Sequence, residues 1–308
     1  MSTESPPLAP AADPAGGGAR RRLLTWLSGH PRLQLGTLLA LPGGWFAIVY
    51  FGSLLLLFVS AFWIVDPTTG QIVHDWTLAN FQKIFAQPVY LTIVVRTIFI
   101  AAIVTLADAA IAFPIAYFMA RVASRRTRAF LAVAVLIPLW ASYLVRVYAW
   151  RLILSENGLL DWVFAQLGLP GVGNLFGISD LSLTVVFVYL WLPYMILPIW
   201  AGLERIPDSF LEASADLGGR PLTTFRRVIL PLAMPALVAG SIFTFSLTLG
   251  DYIAPELVSN TQFIGNVIFA QLGVAGDIPF AAAFAMIPVL IMGVYLYTAG
   301  RLGAFEAL

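Results

Sequence analysis

Long apolar runs alternate with shorter polar segments along this chain, and the alternation predicts its secondary structure. A helix of about 20 apolar residues is long enough to cross the hydrocarbon core of a bilayer. Runs of this kind predict six spanning helices, at about 43–65, 90–120, 129–152, 181–203, 231–254 and 278–300. Three larger polar segments connect them, at 66–89, 153–180 and 255–277. The pattern therefore predicts an all-α membrane protein with six transmembrane helices.

The composition agrees with this interpretation. Hydrophobic residues make up 60% of the 308 residues and charged residues 11%, whereas a soluble domain carries roughly a quarter charged residues. The chain has no cysteine, which excludes disulfides and cysteine-ligated metals. The two histidines, His30 and His74, lie far apart along the sequence, so we expect no metal site.

The distribution of Lys and Arg predicts the orientation in the membrane. Basic residues cluster in the N-terminal segment, the turn after span two, the loop after span four and the C-terminus: Arg20, Arg21, Arg22, Arg32, Arg121, Arg125, Arg126, Arg128, Arg205, Arg220, Arg226, Arg227 and Arg301. The three opposite loops contain one clear cation, Lys83. Because cytoplasmic loops carry the excess of Lys and Arg, we expect both termini in the cytoplasm.

The first 41 residues differ from the rest of the chain. Residues 1–19 are rich in Pro, Ala and Gly and show no apolar period, which is typical of a disordered tail. A secretory signal peptide is the alternative, but the apolar run from Trp45 to Val65 is too long for its hydrophobic region. We therefore expect a cytoplasmic, partly disordered tail at 1–41 and one membrane domain at 42–308.

One polar segment, 207–231, lies between the fourth and fifth apolar runs and predicts two short helices. Ser209 and Glu212 have the spacing of a capping box, in which each side chain bonds to the backbone N–H of the other residue. The pair Gly218–Gly219 predicts a helix stop, and Pro221 suits the first turn of the next helix. We expect such a structured loop to dock against another protein; a solvated amphipathic loop is the alternative.

The same segment carries a motif with fixed gaps. From Glu212 it reads E-A-S, three further residues and Gly, and after nine more residues V-I-L-P. This resembles the EAA loop of permease subunits in binding-protein-dependent ABC importers, whose pattern is E-A-A, three residues, Gly, nine residues and I-x-L-P. Ser214 and Val228 depart from that pattern by small changes. The resemblance implies that the following residues couple the permease to its ATPase: Glu212, Ala213, Ser214, Asp216, Gly218, Val228, Leu230 and Pro231.

The resemblance also implies an architecture and a set of partners. Members of the family have the type I ABC importer permease architecture, and their EAA loop forms cytoplasmic coupling helices that insert into a cleft on the ATPase. The implied partners are cytoplasmic ATPase subunits, a second permease subunit, an extracellular substrate-binding protein and the lipid of a bacterial inner (plasma) membrane, with no nucleic acid. The chain has no G-x-x-x-x-G-K-[ST] phosphate loop, so we expect ATP and Mg²⁺ on the ATPase, and neither a cofactor nor enzymatic activity on this chain.

Two further stretches, 137–160 and 247–258, are similar to spermidine/putrescine permease subunits. The resemblance therefore implies a polyamine as the transported solute. Related permeases for phosphonates or opines share much of the pattern, so an anionic or other organic solute is the alternative. An ion-coupled secondary transporter, with Asp108 as proton carrier, is a further alternative that leaves the EAA loop unexplained.

Ionisable residues inside the predicted spans are candidates for the translocation pathway, because charges are costly within a bilayer. Asp108 lies within span two, and its separation from Arg96 corresponds to about 18 Å along a helix, too far for the two to pair. Asp251 lies near the outer end of span five beside Tyr252, and Glu256 follows just beyond. Carboxylates next to an aromatic ring suit an alkylammonium ion.

Span three contributes aromatic and basic candidates. Trp140 and Tyr143 lie deeper than the other aromatic residues of this span and are predicted to line the pathway. Arg146 and Arg151 lie near its outer end and would repel a polyamine if they faced the pathway. They can instead extend to lipid headgroups or contact an acidic patch on the binding protein. If they line the pathway, an anionic solute is favoured.

Overall fold

The structure is a computed structural model that describes residues 31–171 and 173–301. Residues 1–30, which include the predicted disordered tail, lie outside the described residues. The chain divides into two units, Met1–Leu57 and Phe58–Leu308. The described part of both is dominated by helices, as a bilayer requires, because a helix satisfies its backbone hydrogen bonds within the segment.

The described part of the first unit is helical. Helix α1 spans Pro31–Phe46, a π-helical turn follows at Ala47–Phe51, and α2 (Gly52–Ser60) continues past the end of the unit. The stretch Leu38–Ser60 is long and apolar enough to cross a membrane. The span predicted at 43–65 therefore exists, but each boundary lies five residues earlier, at 38 instead of 43 and at 60 instead of 65.

The loop after α2 is folded, although its sequence reads as a polar connection. It contains a two-stranded antiparallel ribbon and a helix, which are β1 (Ile64–Val65), β2 (Ile72–Val73) and α3 (Ala79–Ala86). The buried side chain of Asn80 donates from Nδ2 to the carbonyls of Ala61 at 2.9 Å and Trp63 at 2.7 Å. These bonds hold α3 against the turn that precedes the ribbon.

Span two is one long helix. Helix α4 (Pro88–Tyr117) continues through a π-helical end at Phe118–Val122, so the helix predicted at 90–120 is confirmed. Pro88 stands in the first turn, where the N–H that proline lacks has no helical partner in any case.

Span three is not the single straight helix predicted at 129–152. It consists of α5 (Arg125–Trp140) and α6 (Tyr143–Leu154), and the axis bends by 95° between Arg125–Trp140 and Tyr143–Gln166. Within the described residues there are five uninterrupted helices that could cross a membrane, or six if the bent pair counts as one span.

The break has a local cause that apolar composition does not reveal. Pro138 removes one backbone donor from the last turn of α5. Ala141 and Ser142 then take extended conformations, with ψ of 143° and 139°. Two short helices follow α6, and they are α7 (Leu159–Gln166) and α8 (Gly173–Phe176).

Helix α9 leads into the polar segment 207–231, which we call the coupling loop after the role that its resemblance implies, and the chain returns through span five. The elements are α9 (Asp180–Glu204), α10 (Asp208–Asp216), α11 (Pro221–Thr224), a π-helical segment (Phe225–Ile229) and α12 (Leu230–Gly250). The first of the two short helices predicted for the loop is confirmed as α10, whereas the second, α11, is the beginning of the continuous helix of span five. Pro221 stands in the first turn of α11.

The start of α10 differs from the prediction. The N-cap residue of α10 is Pro207, and no side chain caps this end, so the capping box predicted for Ser209 and Glu212 is wrong. The extended ψ of 143° at Pro207 already starts the helix at Asp208, whose charge suits the positive end of the helix dipole. Ser209 consequently lies inside the first turn, where it cannot act as the cap.

Span five is longer at one end and shorter at the other than the predicted 231–254. Its helix runs without interruption from Pro221 to Gly250, because the π-helical segment joins α11 to α12. Pro231 therefore lies inside a continuous helix and does not begin one. The last elements are α13 (Ile253–Val258), α14 (Ile264–Ala270) with a π-helical end (Gln271–Ala275), and α15 (Ile278–Arg301).

Helix α9 is central to the second unit and packs against α4 and α12. Phe187 and Leu190 pack with Val104 in one core cluster, and Ile199 packs in a second cluster nearer the coupling loop. A Cβ atom built on Gly202 would lie 2.3 Å from the Cβ of Ala236, so glycine is what permits α9 and α12 to approach so closely.

Candidate functional site

The coupling loop contains a tight joint between two helices. Helix α10 ends at Asp216, and Gly218 adopts a φ of +73°, which most side chains resist. The N–H of Gly219 donates to the carbonyl of Ser214 at 2.8 Å, which closes the last turn. The helix stop predicted at this position is confirmed.

A side-chain hydrogen bond also joins the two helices of the loop. The hydroxyl oxygens of Ser214 on α10 and Thr224 on α11 lie 2.8 Å apart. The EAA pattern has alanine at position 214, so the departure from that pattern supplies this bond. The bond restrains the angle between α10 and α11 in addition to the glycine turn.

Exposure divides the motif residues into two groups. The exposed positions are Glu212, Ala213, Asp216, Gly218 and Pro231. The half-buried positions are Ser214, Val228 and Leu230, and the side chain of Leu230 packs against the second core cluster. The α10 part of the motif is thus largely exposed, whereas Leu230 packs the loop against the spans.

Three large apolar side chains of the same loop belong to no motif that predicts a site. Phe210, Leu217 and Leu222 are exposed, and Leu217 is 90% exposed. The available signal is position: Leu217 directly precedes the helix stop, where no further turn of α10 can cover it. All three side chains lie in the same loop as the family motif.

A second group of predicted residues meets near the end of span five away from the coupling loop. The Oδ1 atom of Asp251 accepts from the backbone N–H groups of Ile253 at 2.8 Å and Ala254 at 3.0 Å, which caps α13. The Oδ2 atom accepts from the hydroxyl of Tyr143, the first residue of α6. The break in span three thus brings Tyr143 to the carboxylate.

Two cavities share a wall at this group of residues. The first is about 330 Å³, and its lining includes Tyr143, Trp191 and Asp251. Tyr252 and Ile253 line both this cavity and its neighbour. Three of the predicted pathway residues, Tyr143, Asp251 and Tyr252, therefore line one cavity.

The second cavity is about 410 Å³ and combines a carboxylate with aromatic rings. Its lining includes Tyr148, Glu256 and Asn266. The Nδ2 atom of Asn266 donates to Glu256 Oε2 at 3.3 Å and to the carbonyl of Tyr252 at 2.8 Å. The rings of Tyr252 and Phe269 stack with centroids 4.7 Å apart. An anionic oxygen beside stacked aromatic faces suits an alkylammonium group.

The two arginines of span three have different surroundings. Arg146 is buried, and its guanidinium carbon lies 5.9 Å from the centroid of the Tyr143 ring. Among the described residues its Nε and Nη1 atoms have no hydrogen-bond partner, and its burial shows that it does not extend to the surface. Arg151 instead lines a separate cavity of about 500 Å³ that also includes Glu156.

Asp108 and Trp140 are not brought to this site. Asp108 is fully buried in α4, and neither of its carboxylate oxygens has a hydrogen-bond partner among the described residues. Trp140 is 92% exposed at the end of α5, beside an apolar cavity of about 420 Å³ lined with Val133 and Leu136. The backbone break that follows Trp140 separates it from Tyr143.

Comparison with known sequences places the chain among transport proteins. Residues 112–302 match the family described as binding-protein-dependent transport system inner membrane component. The inner membrane ABC transporter permease protein YdcU of Escherichia coli (strain K12) is 48% identical over 291 residues, covering 91% of this chain and 93% of the relative. The spermidine/putrescine transport system permease protein PotB of the same strain is 29% identical over 255 residues, covering 82% and 92%.

Solved structures share the fold. A chain of a bacterial alginate ABC transporter, in complex with alginate pentasaccharide-bound periplasmic protein, matches with a TM-score of 0.71 at 14% identity and covers 92% of this chain and 98% of that chain. A chain of the inward-facing MetNI methionine ABC transporter matches with a TM-score of 0.51 at 17% identity, covering 71% and 97%. These likenesses show the type I ABC importer fold. The matched family region includes both the coupling loop and Asp251, and the chain belongs to the binding-protein-dependent transport system inner membrane component family, as a permease subunit of an ABC importer.

Proposed function

We propose that this chain forms half of the translocation pathway for a polyamine such as spermidine or putrescine. The name of the relative PotB supports this cargo, while the name of YdcU states no solute. The observation that carries the proposal is a pair of neighbouring cavities. Asp251 lines the first, Glu256 lines the second, and Tyr252 lines both.

The chemistry of these cavities suits a linear cation with more than one ammonium group. Each carboxylate can attract one ammonium, and the attraction to the half-buried Asp251 is stronger than it would be in bulk water. The methylene chain can lie on the stacked rings of Tyr252 and Phe269. Cation–π contact with such rings adds about 0.5–2 kcal/mol.

We propose that this chain works within a larger assembly whose other subunits have separate roles. Cytoplasmic ATPase subunits bind ATP and Mg²⁺, and their closure moves the helices of the coupling loop. A second permease subunit completes the pathway, and an extracellular binding protein delivers the solute. The bundle then alternates between outward-open and inward-open forms. The exposed motif surface on α10, together with Phe210 and Leu217, supports docking of the ATPase at this loop.

Removing either carboxylate charge should reduce polyamine uptake. Asp251→Asn keeps an oxygen that can cap α13, and Glu256→Gln keeps an oxygen for Asn266, so both retain the local geometry. A bond to a charged group contributes about 1.5–3 kcal/mol, so each change should lower spermidine uptake by about 10- to 100-fold. The measurement is uptake of labelled spermidine by the complete importer in proteoliposomes.

The matched control is Glu156→Gln, which removes the same charge from the cavity that Arg151 lines. We expect this variant to transport normally and all three variants to assemble with normal basal ATPase activity. Normal spermidine uptake by both Asp251→Asn and Glu256→Gln would contradict the polyamine assignment.

An organic anion is the second candidate cargo, and the buried Arg146 favours it. Its guanidinium lies beside Tyr143, which lines the first cavity, and two of its nitrogens have no partner among the described residues. Uptake of a labelled organophosphonate that is lost in Arg146→Gln and retained in Asp251→Asn would replace the polyamine with an anion.

The proposed orientation, with both termini in the cytoplasm, can be tested by cysteine labelling. The native chain has no cysteine, so single cysteines report without background. In intact cells an impermeant thiol reagent should label a cysteine at Gln71 and leave cysteines at Ser124 and Thr223 unlabelled; all three positions are exposed. Labelling of the Thr223 position from outside would show that the orientation is reversed.

A further inference from the structure

One arginine side chain joins three segments at the base of the coupling loop. Arg121 lies in the π-helical end of span two. Its Nη1 atom is 2.6 Å from Asp208 Oδ1, in the first turn of α10. Its Nη2 atom donates to the carbonyls of Leu203 at 2.7 Å and Ile206 at 2.5 Å, at the end of α9. The guanidinium therefore contacts α9, α10 and the connection between them.

We propose that Arg121 is a positioning residue that fixes α10 to the ends of α4 and α9, so that the three move together when the ATPase moves. The inference rests on the proposed coupling function of the loop. Only residues 205–207 separate α9 from α10. Without a side-chain contact across this connection, α10 can rotate about it. A force that the ATPase applies to α10 would then turn α10 without moving α9.

The geometry of the contacts favours a positioning role over a stabilising one. The side chain of Arg121 is 14% exposed, whereas that of Asp208 is 78% exposed. An ion pair with so exposed a partner contributes little to stability. The carbonyl of Leu203 belongs to the last turn of α9, where a cation is favourable. A planar guanidinium with several fixed donors can hold all three acceptors at once, which the single ammonium of lysine cannot do as well.

The local backbone also serves this arrangement. The π-helical segment Phe118–Val122 has a wider turn than an α-helix, and it therefore changes the direction in which Arg121 points relative to α4. A second arginine braces the same corner: Arg128 donates to Glu204 Oε1 at 2.9 Å and to the carbonyl of Ala120 at 3.0 Å. Span three thereby joins spans two and four beside the Arg121 contacts.

The test measures coupling in the complete importer, reconstituted with its partner permease, ATPase and binding protein. Arg121→Gln should lower the amount of solute transported per ATP hydrolysed by about tenfold, since its loss removes three contacts, while ATPase activity persists. Arg121→Lys, which keeps the charge and part of the bonding, should recover part of the ratio. Arg125→Gln is the matched control: Arg125 is exposed, lies in the same basic turn and carries the same charge.

A second readout does not depend on the cargo. A single cysteine at Ser246, which lines the first cavity, should change its labelling rate between nucleotide-free and ATP-trapped complexes. In Arg121→Gln this response should disappear, even if the transported solute is not a polyamine. Failure of wild-type spermidine uptake with an intact ATP response would contradict the polyamine proposal alone.

Crosslinking offers a rescue that a general loss of folding would not show. Cysteines at positions 121 and 208, joined by a short bifunctional thiol reagent in a chain without the cysteine at position 246, should restore the amount of solute transported per ATP hydrolysed that the same double variant lacks before crosslinking. A normal ratio in Arg121→Gln would overturn the proposal. An equal loss in Arg125→Gln would also overturn it, because charge in the turn would then matter instead of the contacts.

Discussion

Uptake through the assembled importer should fall at least about tenfold when Gly219 is replaced by alanine. A Cβ atom at this position would lie 2.6 Å from the carbonyl oxygen of Ser214 and 2.6 Å from its hydroxyl, and 3.2 Å from the hydroxyl of Thr224. The last turn of α10 must then open, or the Ser214–Thr224 bond must break. Either change misplaces α10 relative to α11, whereas the spans remain intact.

The neighbouring glycine provides the matched control. A Cβ atom on Gly218 has no neighbour within 4 Å, so Gly218→Ala incurs only the strain of a left-handed residue, about 1–2 kcal/mol. We therefore expect Gly219→Ala to lose transport while ATP hydrolysis continues, and Gly218→Ala to retain most of it. Solute uptake and ATPase activity of the purified, reconstituted complex measure this difference. Equal losses in the two variants would mean that steric contact with Ser214 does not determine coupling.

Gly265 lies at the end of the helical bundle away from the coupling loop. Its replacement by alanine should also reduce uptake at least about tenfold. Gly265 is the second residue of α14. A Cβ atom there would lie 2.7 Å from the carbonyl oxygen of Asp251 and 2.8 Å from that of Gly250. Because both atoms belong to the backbone, the segment that carries Asp251 and Tyr252 must move, and both cavities change shape.

Gly273→Ala is the control for this second change, because the nearest atom to a Cβ on Gly273 is in the Phe269 ring at 4.0 Å. Gly265→Ala should show reduced uptake and a weaker apparent affinity for the solute, while the complex assembles and binds its ATPase. Retention of normal uptake kinetics in Gly265→Ala would show that the position of Asp251 does not limit transport.

The sequence predicts the coupling loop well because its signals are local. Gly218 stops α10 through its own backbone conformation, and Pro221 begins α11 through its fixed φ. The prediction of a capping box at Ser209 is wrong for a reason that is equally local. Two overlapping start signals stand side by side, and the conformation of Pro207 begins the helix one residue before Ser209 can cap it.

The break in span three is a feature that local sequence signals do not predict. An apolar run of this length is compatible with either a straight or a broken helix, because the residue composition is the same in both. Composition therefore does not predict the break. In a straight helix Trp140 and Tyr143 are three residues apart and share a face. The break at Ala141 and Ser142 separates them, so that Tyr143 reaches Asp251 and Trp140 does not.

By itself, the sequence determined that this chain crosses a membrane, where most of its long helices lie, and which loop carries the family motif, because apolar length, charge bias and turn residues act over a few neighbouring positions. Only the tertiary structure decided which distant side chains meet. Tyr143 and Asp251 are 108 positions apart, and Arg121 and Asp208 are 87 apart. Their contacts depend on how far each helix is rotated, bent and shifted against its neighbours, and those quantities are set by the packing of α4, α9 and α12 together.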